Sequence, residues 1–270
     1  MNFSVLMSVY YKENPEYLND SINSIFSQTL LPNEVILVED GKLTDKLYDE
    51  INKLQEKYNN LKIVSLNNNQ GLGPALNEGL KYCSYDIVAR MDSDDICMPD
   101  RFKIQTDFLE KHPNIDIISG WIDEFNDKKE NIISTRKLPE THAEIVKFSK
   151  FRNPINHPAA MFRKKTICNI GGYKNIRFLE DYDLWIRAIL NGAQFYNIQQ
   201  SILYFRQTDN AFLRRGGIEY AKKEIKFQQM LYKKKYISIK NMYFNIGIRL
   251  IMRLLPNIIR KYIYVSRLRK

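Results

Sequence analysis

The chain has 270 residues, of which 44% are hydrophobic and only 11 are Gly and 9 Pro; this allows one α/β domain with an appendage and excludes a disordered chain. Its net charge of +10 is unevenly spread, because residues 214–270 hold 16 Lys or Arg against two Glu, whereas residues 1–213 hold 25 basic and 29 acidic residues. A uniformly basic nucleic-acid-binding protein would not divide in this way, so we expect no nucleic-acid partner.

The N-terminus enters a strand-like run at residues 3–9 without the zones of a signal peptide. No stretch reaches the roughly 18 uncharged apolar residues that indicate a membrane-spanning helix. The three cysteines are widely spaced and form no CxxC pair, which is typical of a reducing compartment and of a protein without structural zinc. We therefore expect a cytoplasmic protein that is soluble or peripheral on a membrane.

Strand and helix patterns alternate over the first two-fifths of the chain, as in βαβ units. The predicted strands are residues 4–9, 34–38, 61–66 and 86–91, and the predicted helices begin after Pro15, near residue 47 and at residue 71. Strands such as 35–38 are apolar without alternation, which is typical of a parallel sheet covered on both faces. Further along we predict a helix from residue 99 to about 111, a strand at 115–121 and a helix at 180–190.

The most unusual local sequence is Met-Asp-Ser-Asp-Asp at residues 91–95, directly after an apolar strand. Its three carboxylates repel one another, and a hard divalent cation such as Mg²⁺ or Mn²⁺ removes that repulsion. The alternative is an acidic turn that caps the following helix, a role open to Asp95 or Asp100. Ligands bind where loops leave the carboxyl ends of parallel strands, and this position favours the metal site.

Two further strand ends carry polar or glycine-rich loops. Residues 38–41 (VEDG) offer carboxylates that can accept a hydrogen bond from a base or a ribose, although a plain Asp-Gly turn explains them equally. Residues 67–73 (NNNQGLG) lead into a helix whose N-terminus favours an anion, but they match neither a Walker A loop nor GxGxxG.

A last acidic group lies in the first turn of the predicted helix at 180–190. Glu180, Asp181 and Asp183 all stand where the helix dipole favours a carboxylate, and capping accounts for part of the group. The sharper hypothesis makes one of them a general base that deprotonates a hydroxyl.

Taken in order, these segments resemble the family 2 glycosyltransferases, which are inverting enzymes of GT-A fold, and in particular bacterial exopolysaccharide and capsule enzymes of the amylovoran type. The resemblance covers residues 4 to about 215, and its segments are 5–10 (VLMSVY), 24–28 (SIFSQ), 38–41, 69–72 with Asn77, 90–95 (RMDSDD), 156–158 (NHP), 171–173 (GGY) and 180–185 (EDYDLW). It implies an α/β GT-A domain at 1–215, with a mainly parallel central sheet flanked by helices. Residues 1–98 would form the nucleotide-sugar half and 99–215 the acceptor and catalytic half, followed by a basic amphipathic helical extension at 216–270.

The resemblance also implies roles for individual residues. The catalytic base would be Asp181 with Glu180 beside it, and the metal ligands would be Asp94, directly, and Asp92, which also lies nearer the ribose. The nucleotide-sugar would be held by Val9, Tyr10, Glu39, Asp40, Asn69, Gly71, Asn77, Arg90, Asp92, Ser93 and His157. For His157 a purely structural, hydrogen-bonded role is the equal alternative.

The implied reaction transfers one hexose or N-acetylhexosamine from a UDP-sugar, with Mn²⁺ or Mg²⁺, to a glycan or an undecaprenyl-diphosphate-linked acceptor in the synthesis of a surface polysaccharide. One departure from the family concerns the metal, because residues 204–208 (YFRQT) lack the histidine that many relatives add to the site. A rival hypothesis is a nucleotidyltransferase that makes the donor. It would need a glycine-rich basic loop after the first strand, and residues 10–14 (YYKEN) do not provide one.

The C-terminal extension is both basic and apolar. On one helix Arg249, Arg253, Arg260 and Arg267 share a face, and the opposite face carries Ile251, Leu254, Leu255, Ile258 and Tyr262. Pro256 should end or kink that helix, which predicts two shorter helices. We expect an interfacial anchor on an anionic membrane surface. In the alternative, the apolar stripe packs on the catalytic domain or on a second subunit of a homo-oligomer.

Overall fold

The computed structural model of the protein describes residues 1–126, 128–207 and 217–255. Within them nine strands form one sheet in the order β3-β2-β1-β4-β8-β6-β9-β5, with β7 added to β6. The strands are β1 Phe3–Val9, β2 Glu34–Glu39, β3 Leu61–Ser65, β4 Ile87–Arg90, β5 Ile96–Cys97, β6 Ile117–Phe125, β7 Ile132–Arg136, β8 Met161–Arg163 and β9 Phe195–Arg206. The helices are α1 Pro15–Phe26, α2 Asp45–Lys57, α3 Leu72–Tyr82, α4 Arg101–Lys111, α5 His142–Ser149, α6 Lys164–Asn169, α7 Glu180–Leu190, α8 Ile218–Lys233 and α9 Ile239–Leu254.

The first four predicted strands form a parallel block, in which β1 pairs with β2 and β4, and β2 pairs with β3. Alternate residues of β1 face opposite sides of this block. Val5 and Met7 pack with α1 and α2, whereas Leu6 packs with α3. Burial on both faces is what the unbroken apolar runs predicted, and the predicted strand and helix positions here are confirmed within two residues.

The second half of the sheet mixes directions, which the sequence patterns did not predict. β8 lies antiparallel between β4 and β6, and the long strand β9 runs parallel to β6 with Arg206 opposite Phe125. The two-residue strand β5 pairs antiparallel with β9. As a result, the last residue of β9 lies beside the loop that follows β4. The predicted strand at 115–121 begins two residues later and extends to Phe125, and α7 has the predicted bounds.

Helices α8 and α9 pack on α7 through an apolar cluster that includes Tyr182, Phe227 and Leu231. α9 ends at Leu254, two residues before Pro256, as the proline predicts. Arg260, Arg267, Ile258 and Tyr262 lie outside the described residues, as does the proposed boundary at residue 215, so the division into domains stays a prediction. In the described part of the chain, no helix combines the length and the apolarity that a membrane crossing needs.

Arg249 and Arg253 do share a helix face, as predicted, but that face is turned toward the protein. Both guanidinium groups form ion pairs with Glu224 of α8, with N–O distances of 2.9 Å, and the Glu224 side chain is only 3% exposed. The apolar residues Ile251 and Leu254 lie on the exposed side. The prediction that the apolar stripe packs on the catalytic domain is therefore wrong for Ile251 and Leu254. A membrane contact made by Arg249 and Arg253 is also wrong, because both pair with Glu224.

Candidate active site

The acidic loop after β4 gathers its carboxylates in one place. Oxygen atoms of Asp92, Asp94 and Asp95 all lie within 4.8 Å of one another. The loop leaves the carboxyl end of a central parallel strand and enters β5, so backbone pairing on both sides fixes its position. Clustered carboxylate oxygens are the ligands that Mg²⁺ and Mn²⁺ prefer.

The electrostatics of this loop suit a cation. Burial, and then the charges of Asp92 and Glu13, raise the pKa of Asp94 to about 7. Burial, and then Asp94, raise the pKa of Asp95 well above its usual range. One oxygen of Asp95 accepts a hydrogen bond from the backbone N–H of Arg206 at 2.9 Å, and Oδ2 is buried without a partner among the described residues. The residues present therefore fit a bound divalent cation, which would stabilise all three charges.

Arg90 is almost fully buried beside this cluster. One of its terminal nitrogens forms an ion pair with Asp92, while Nε and Nη1 are buried without a hydrogen-bond partner in the parts of the chain that the structure describes. Unpaired buried donors are costly, so this guanidinium is suited to an anionic or polar ligand. Its predicted role in donor binding is compatible with that geometry and stays a prediction.

The region that lacks the family's histidine places Arg206 against the acidic loop. Its Nε donates to the backbone oxygen of Asp94 at 2.9 Å, and Nη2 lies 3.0 Å from a carboxylate oxygen of Asp20. The guanidinium also lies over the Tyr17 ring, 4.0 Å from its centroid. Because it is a cation, Arg206 is no metal ligand; it holds the backbone of the loop in place.

Asp40 connects the loop after β2 with the glycine-rich loop at residues 67–73. Its carboxylate accepts hydrogen bonds from the backbone N–H groups of Gln70 and Gly71 at 2.7 and 2.9 Å, and its backbone oxygen accepts from the amide of Asn69 at 3.1 Å. At Gly41, where φ is +82°, a Cβ atom would lie 2.4 Å from the backbone nitrogen of Asn69. Only glycine fits this approach, which brings the N-terminus of α3 to the end of β2.

Several other predicted donor-binding residues are held by protein contacts. Ser93 donates to the Glu13 carboxylate, and Glu39 accepts from the Ser65 hydroxyl at 2.6 Å. Val9 is buried at the end of β1, and Tyr10 follows it.

Asn77 lies in α3 and pairs with the backbone of Tyr173 in both directions, with two hydrogen bonds of 2.7 Å. A Cβ atom on Gly172 would lie 2.3 Å from the Asn77 side-chain oxygen, which explains the glycine at position 172. The visible role of Asn77 is thus to fix the 171–173 segment against α3.

His157 is buried beside Tyr173, and its Nε2 lies 2.8 Å from the tyrosine hydroxyl. Its ring also meets the edge of Trp185 at a centroid distance of 5.9 Å. Burial, and then the positive charge of Arg90, hold the pKa of His157 well below its usual range. This shift favours the neutral imidazole, and the contact with Tyr173 is compatible with the hydrogen-bonded structural role; that role and a contact with donor or acceptor both stay predictions.

Asp181 lies in the first turn of α7, and its carboxylate accepts hydrogen bonds from two directions. Oδ2 accepts from the side-chain amide of Asn153 at 2.5 Å, and Oδ1 accepts from the backbone N–H of Tyr182 at 2.7 Å. Burial raises the pKa of Asp181 despite these donors. Glu180, whose pKa burial also raises, lies beside the glycine-rich loop, since a Cβ atom on Gly73 would meet its Cγ at 3.4 Å.

The structure thus brings both acidic groups and three loops to the carboxyl edge of the parallel block. It also adds residues that the sequence reasoning missed, namely Glu13, Asn153 and Arg206. No pattern marked Glu13 or Asn153 as site residues. Arg206 lies in the 204–208 segment, where many family members carry a histidine, and that position is the sequence signal that could have identified it.

This fold, with an acidic loop at the end of a central parallel strand, is that of the GT-A glycosyltransferases. The sequence model described as glycosyl transferase family 2 matches residues 4–169, and the chain belongs to that family. It is 43% identical over 270 residues to the UDP-Gal:alpha-D-GlcNAc-diphosphoundecaprenol beta-1,3-galactosyltransferase of Escherichia coli, covering 99% of this chain and 97% of that protein. It is 35% identical over 271 residues to the amylovoran biosynthesis glycosyltransferase AmsE of Erwinia amylovora, covering 97% of each. The predicted enzyme class and family are confirmed.

Two solved structures are similar in fold. Staphylococcus aureus TarS 1-349 in complex with UDP-GlcNAc superposes with a TM-score of 0.64 at 19% identity, covering 97% of this chain and 70% of that one. The Pyrobaculum calidifontis mannosyltransferase PcManGT, in complex with GDP-Man and Mn²⁺, superposes with a TM-score of 0.65 at 15% identity, covering 95% and 70%. Both likenesses support the GT-A fold that the sequence predicted.

Proposed function

We propose that the protein transfers one galactose residue from UDP-galactose to a saccharide carried on undecaprenyl diphosphate, at the cytoplasmic face of a bacterial membrane. The full-length similarity to the E. coli galactosyltransferase carries the choice of donor and acceptor. The similarity to the amylovoran enzyme supports a role in the synthesis of a surface polysaccharide. The clustering of Asp92 with Asp94 supports the chemistry, as does Arg90, which pairs with Asp92 and also acts electrostatically on Asp181.

The donor would lie across the loops that follow β1, β2 and β4. Val9, Tyr10 and the 39–41 segment line the region proposed for the uracil and ribose. The buried, unpaired Nε and Nη1 of Arg90 would receive hydrogen-bond acceptors of the diphosphate or of the sugar. The N-terminus of α3, whose Gly71 has φ +92°, presents backbone N–H groups that favour the same anion.

Asp94 and Asp92 would hold a Mn²⁺ or Mg²⁺ ion. When bound, this cation neutralises negative charge on the diphosphate as it leaves. Arg206 and Glu13 would keep the two carboxylates in register with the donor, through the backbone of the 92–95 loop and through Ser93.

Asp181 would act as the general base. It takes the proton of the acceptor hydroxyl while that oxygen forms a bond to C1 of the sugar. The C1–O bond to the diphosphate breaks, its electron pair leaves with UDP, and the anomeric centre inverts in a single displacement. The amide of Asn153 orients the carboxylate, and burial keeps it basic.

The test is release of UDP in the presence of Mn²⁺ from UDP-galactose, UDP-glucose, UDP-N-acetylglucosamine and GDP-mannose, each with and without a synthetic GlcNAc-diphosphate lipid. We expect metal-dependent release from UDP-galactose that the acceptor accelerates. Asp94→Asn should lose it, and Leu31→Ser, an exposed position remote from these loops, should keep it. Absence of release from every UDP-sugar, together with no UDP binding by calorimetry, would refute the proposal.

A further inference from the structure

Helix α9 is amphipathic in the reverse of the usual sense. Its polar side chains Asn245, Arg249 and Arg253 face the protein, where they bind Lys150, Phe151, Gln228 or Glu224. The opposite side is apolar and lies open, with side chains that are between 47% and 65% exposed. We call this surface the α9 apolar face; it consists of Ile239, Tyr243, Phe244, Ile248, Ile251 and Leu254.

A contiguous exposed surface of this kind on one helix indicates a contact with another apolar phase. The α9 apolar face extends to Phe151, which follows α5. The exposed ring of Phe151 packs edge-to-face with Phe244, at a centroid distance of 6.4 Å. The reversed arrangement is fixed by the buried ion pairs of Glu224, since turning α9 around would leave that carboxylate buried and unpaired.

A second, independent feature lies at the start of the same helix. An open cavity of about 570 Å³ is lined by Lys150, Lys233 and Lys235, and by Ser238, the N-cap residue of α9. None of the three lysines forms an ion pair with a carboxylate in the described ranges of the chain. Three cations at this open cavity make the surface beside the start of α9 positively charged.

We propose that the α9 apolar face and the lysine-lined cavity together form a membrane-docking surface, in which the apolar face inserts into the interface of an anionic bilayer and the lysines face its anionic headgroups. Residues 214–270 hold 14 basic residues besides Arg249 and Arg253, against two acidic ones, and this charge complements an anionic bilayer. A second copy of the chain is a poorer occupant, because a symmetric dimer would bring two such segments of like charge together. This inference rests on the proposed function in one respect, namely that a lipid-linked acceptor would bring the enzyme to a bilayer.

The surface is tested directly with a fluorescent probe on the full chain. Cys168, the exposed cysteine among three, is replaced by Ser, and the environment-sensitive dye NBD is attached at Ile251→Cys or, as a control, at Leu31→Cys. We expect the emission at position 251 to shift to the blue with vesicles of phosphatidylglycerol and phosphatidylethanolamine, and position 31 to stay unchanged. No donor or acceptor is present, so failure here is distinct from failure of the proposed chemistry.

Three results would overturn the proposal. Emission that is already blue without vesicles and reddens on dilution would assign the face to a second copy. Blue emission at every dilution would assign it to residues 256–270 of the same chain. Emission that stays red with anionic vesicles would show that the α9 apolar face does not insert into the bilayer.

Flotation with the same vesicles gives the magnitude. Phe244→Ser with Ile251→Ser should weaken binding by at least about tenfold, because both side chains would lose burial in the lipid interface. Lys150→Gln with Lys233→Gln should weaken binding several-fold to anionic vesicles, with little effect on vesicles of phosphatidylcholine. Both double variants should keep the basal rate of donor hydrolysis, which shows that they are folded, and Leu31→Ser should bind as the parent does. Unchanged binding by the Phe244 and Ile251 variant would refute the docking surface.

Discussion

Asp181→Asn tests the proposed general base with the least structural disturbance. Asparagine has the same shape, and its side-chain oxygen can still accept from the backbone N–H of Tyr182, so the helix start is preserved. The substitution removes the ability to take a proton; it also replaces the oxygen that accepts from Asn153 by an NH2 group, which the Asn153 amide can accommodate by turning its own oxygen toward it. A positioned base contributes about 10²–10⁴ in rate, which corresponds to about 2.7–5.4 kcal/mol in the barrier.

The assay is the initial rate of transfer from UDP-galactose to the lipid-linked acceptor under saturating conditions, with UDP affinity measured separately by calorimetry. We expect kcat to fall by about 10²–10⁴ and UDP affinity to stay unchanged. Glu180→Gln is the matched control, since it neutralises the neighbouring carboxylate in the same first helical turn. If Asp181→Asn keeps more than a tenth of the activity while Glu180→Gln loses it, the base has been assigned to the wrong residue.

The remaining predictions concern the pH profile, the metal and the packing. Because burial raises the pKa of Asp181, the rate should begin to decline, as the pH falls, at a higher pH than an ordinary carboxyl group would give. Asn153→Ala removes a hydrogen-bond donor that stabilises the carboxylate, so it should move this decline to a still higher pH. A pH profile that Asn153→Ala leaves unchanged would contradict a role for this contact. Asp94→Asn should abolish the gain in UDP affinity that Mn²⁺ provides, as measured by calorimetry with and without a chelator, and an undiminished gain would move the metal elsewhere. Gly41→Ala should lower the free energy of unfolding by about 2–5 kcal/mol, because Gly41 has a positive φ and its added Cβ would collide with the backbone of Asn69. An unchanged melting temperature would refute that account. Glu224→Ala should cost about 3–5 kcal/mol in denaturant unfolding because it leaves two arginine side chains without their buried partner, and a cost below about 1 kcal/mol would show that the pairs are solvated.

The sequence by itself determined the parallel half of the sheet and the place of its site. The unbroken apolar runs that form β1, β2 and β4 require cover on both faces, and the helical periodicities between them supply that cover. Once those strands are parallel, their carboxyl ends meet at one edge, so the 92–95 loop and the 39–41 loop had to lie at that same edge. The family resemblance then supplied roles for residues such as Asp181, which no local pattern distinguishes from a helix cap.

The tertiary structure alone decided which side chains hold those groups. Asn153 lies 28 residues before Asp181, and Arg206 lies 111 residues after Asp95, so no sequence periodicity connects either pair. The orientation of α9 shows the same limit. Helical spacing groups Arg249 with Arg253 and places Ile251 opposite, but it does not say which face turns inward. The carboxylate of Glu224 on α8 accounts for the observed orientation, because this buried charge would lose both arginine partners if α9 were turned around.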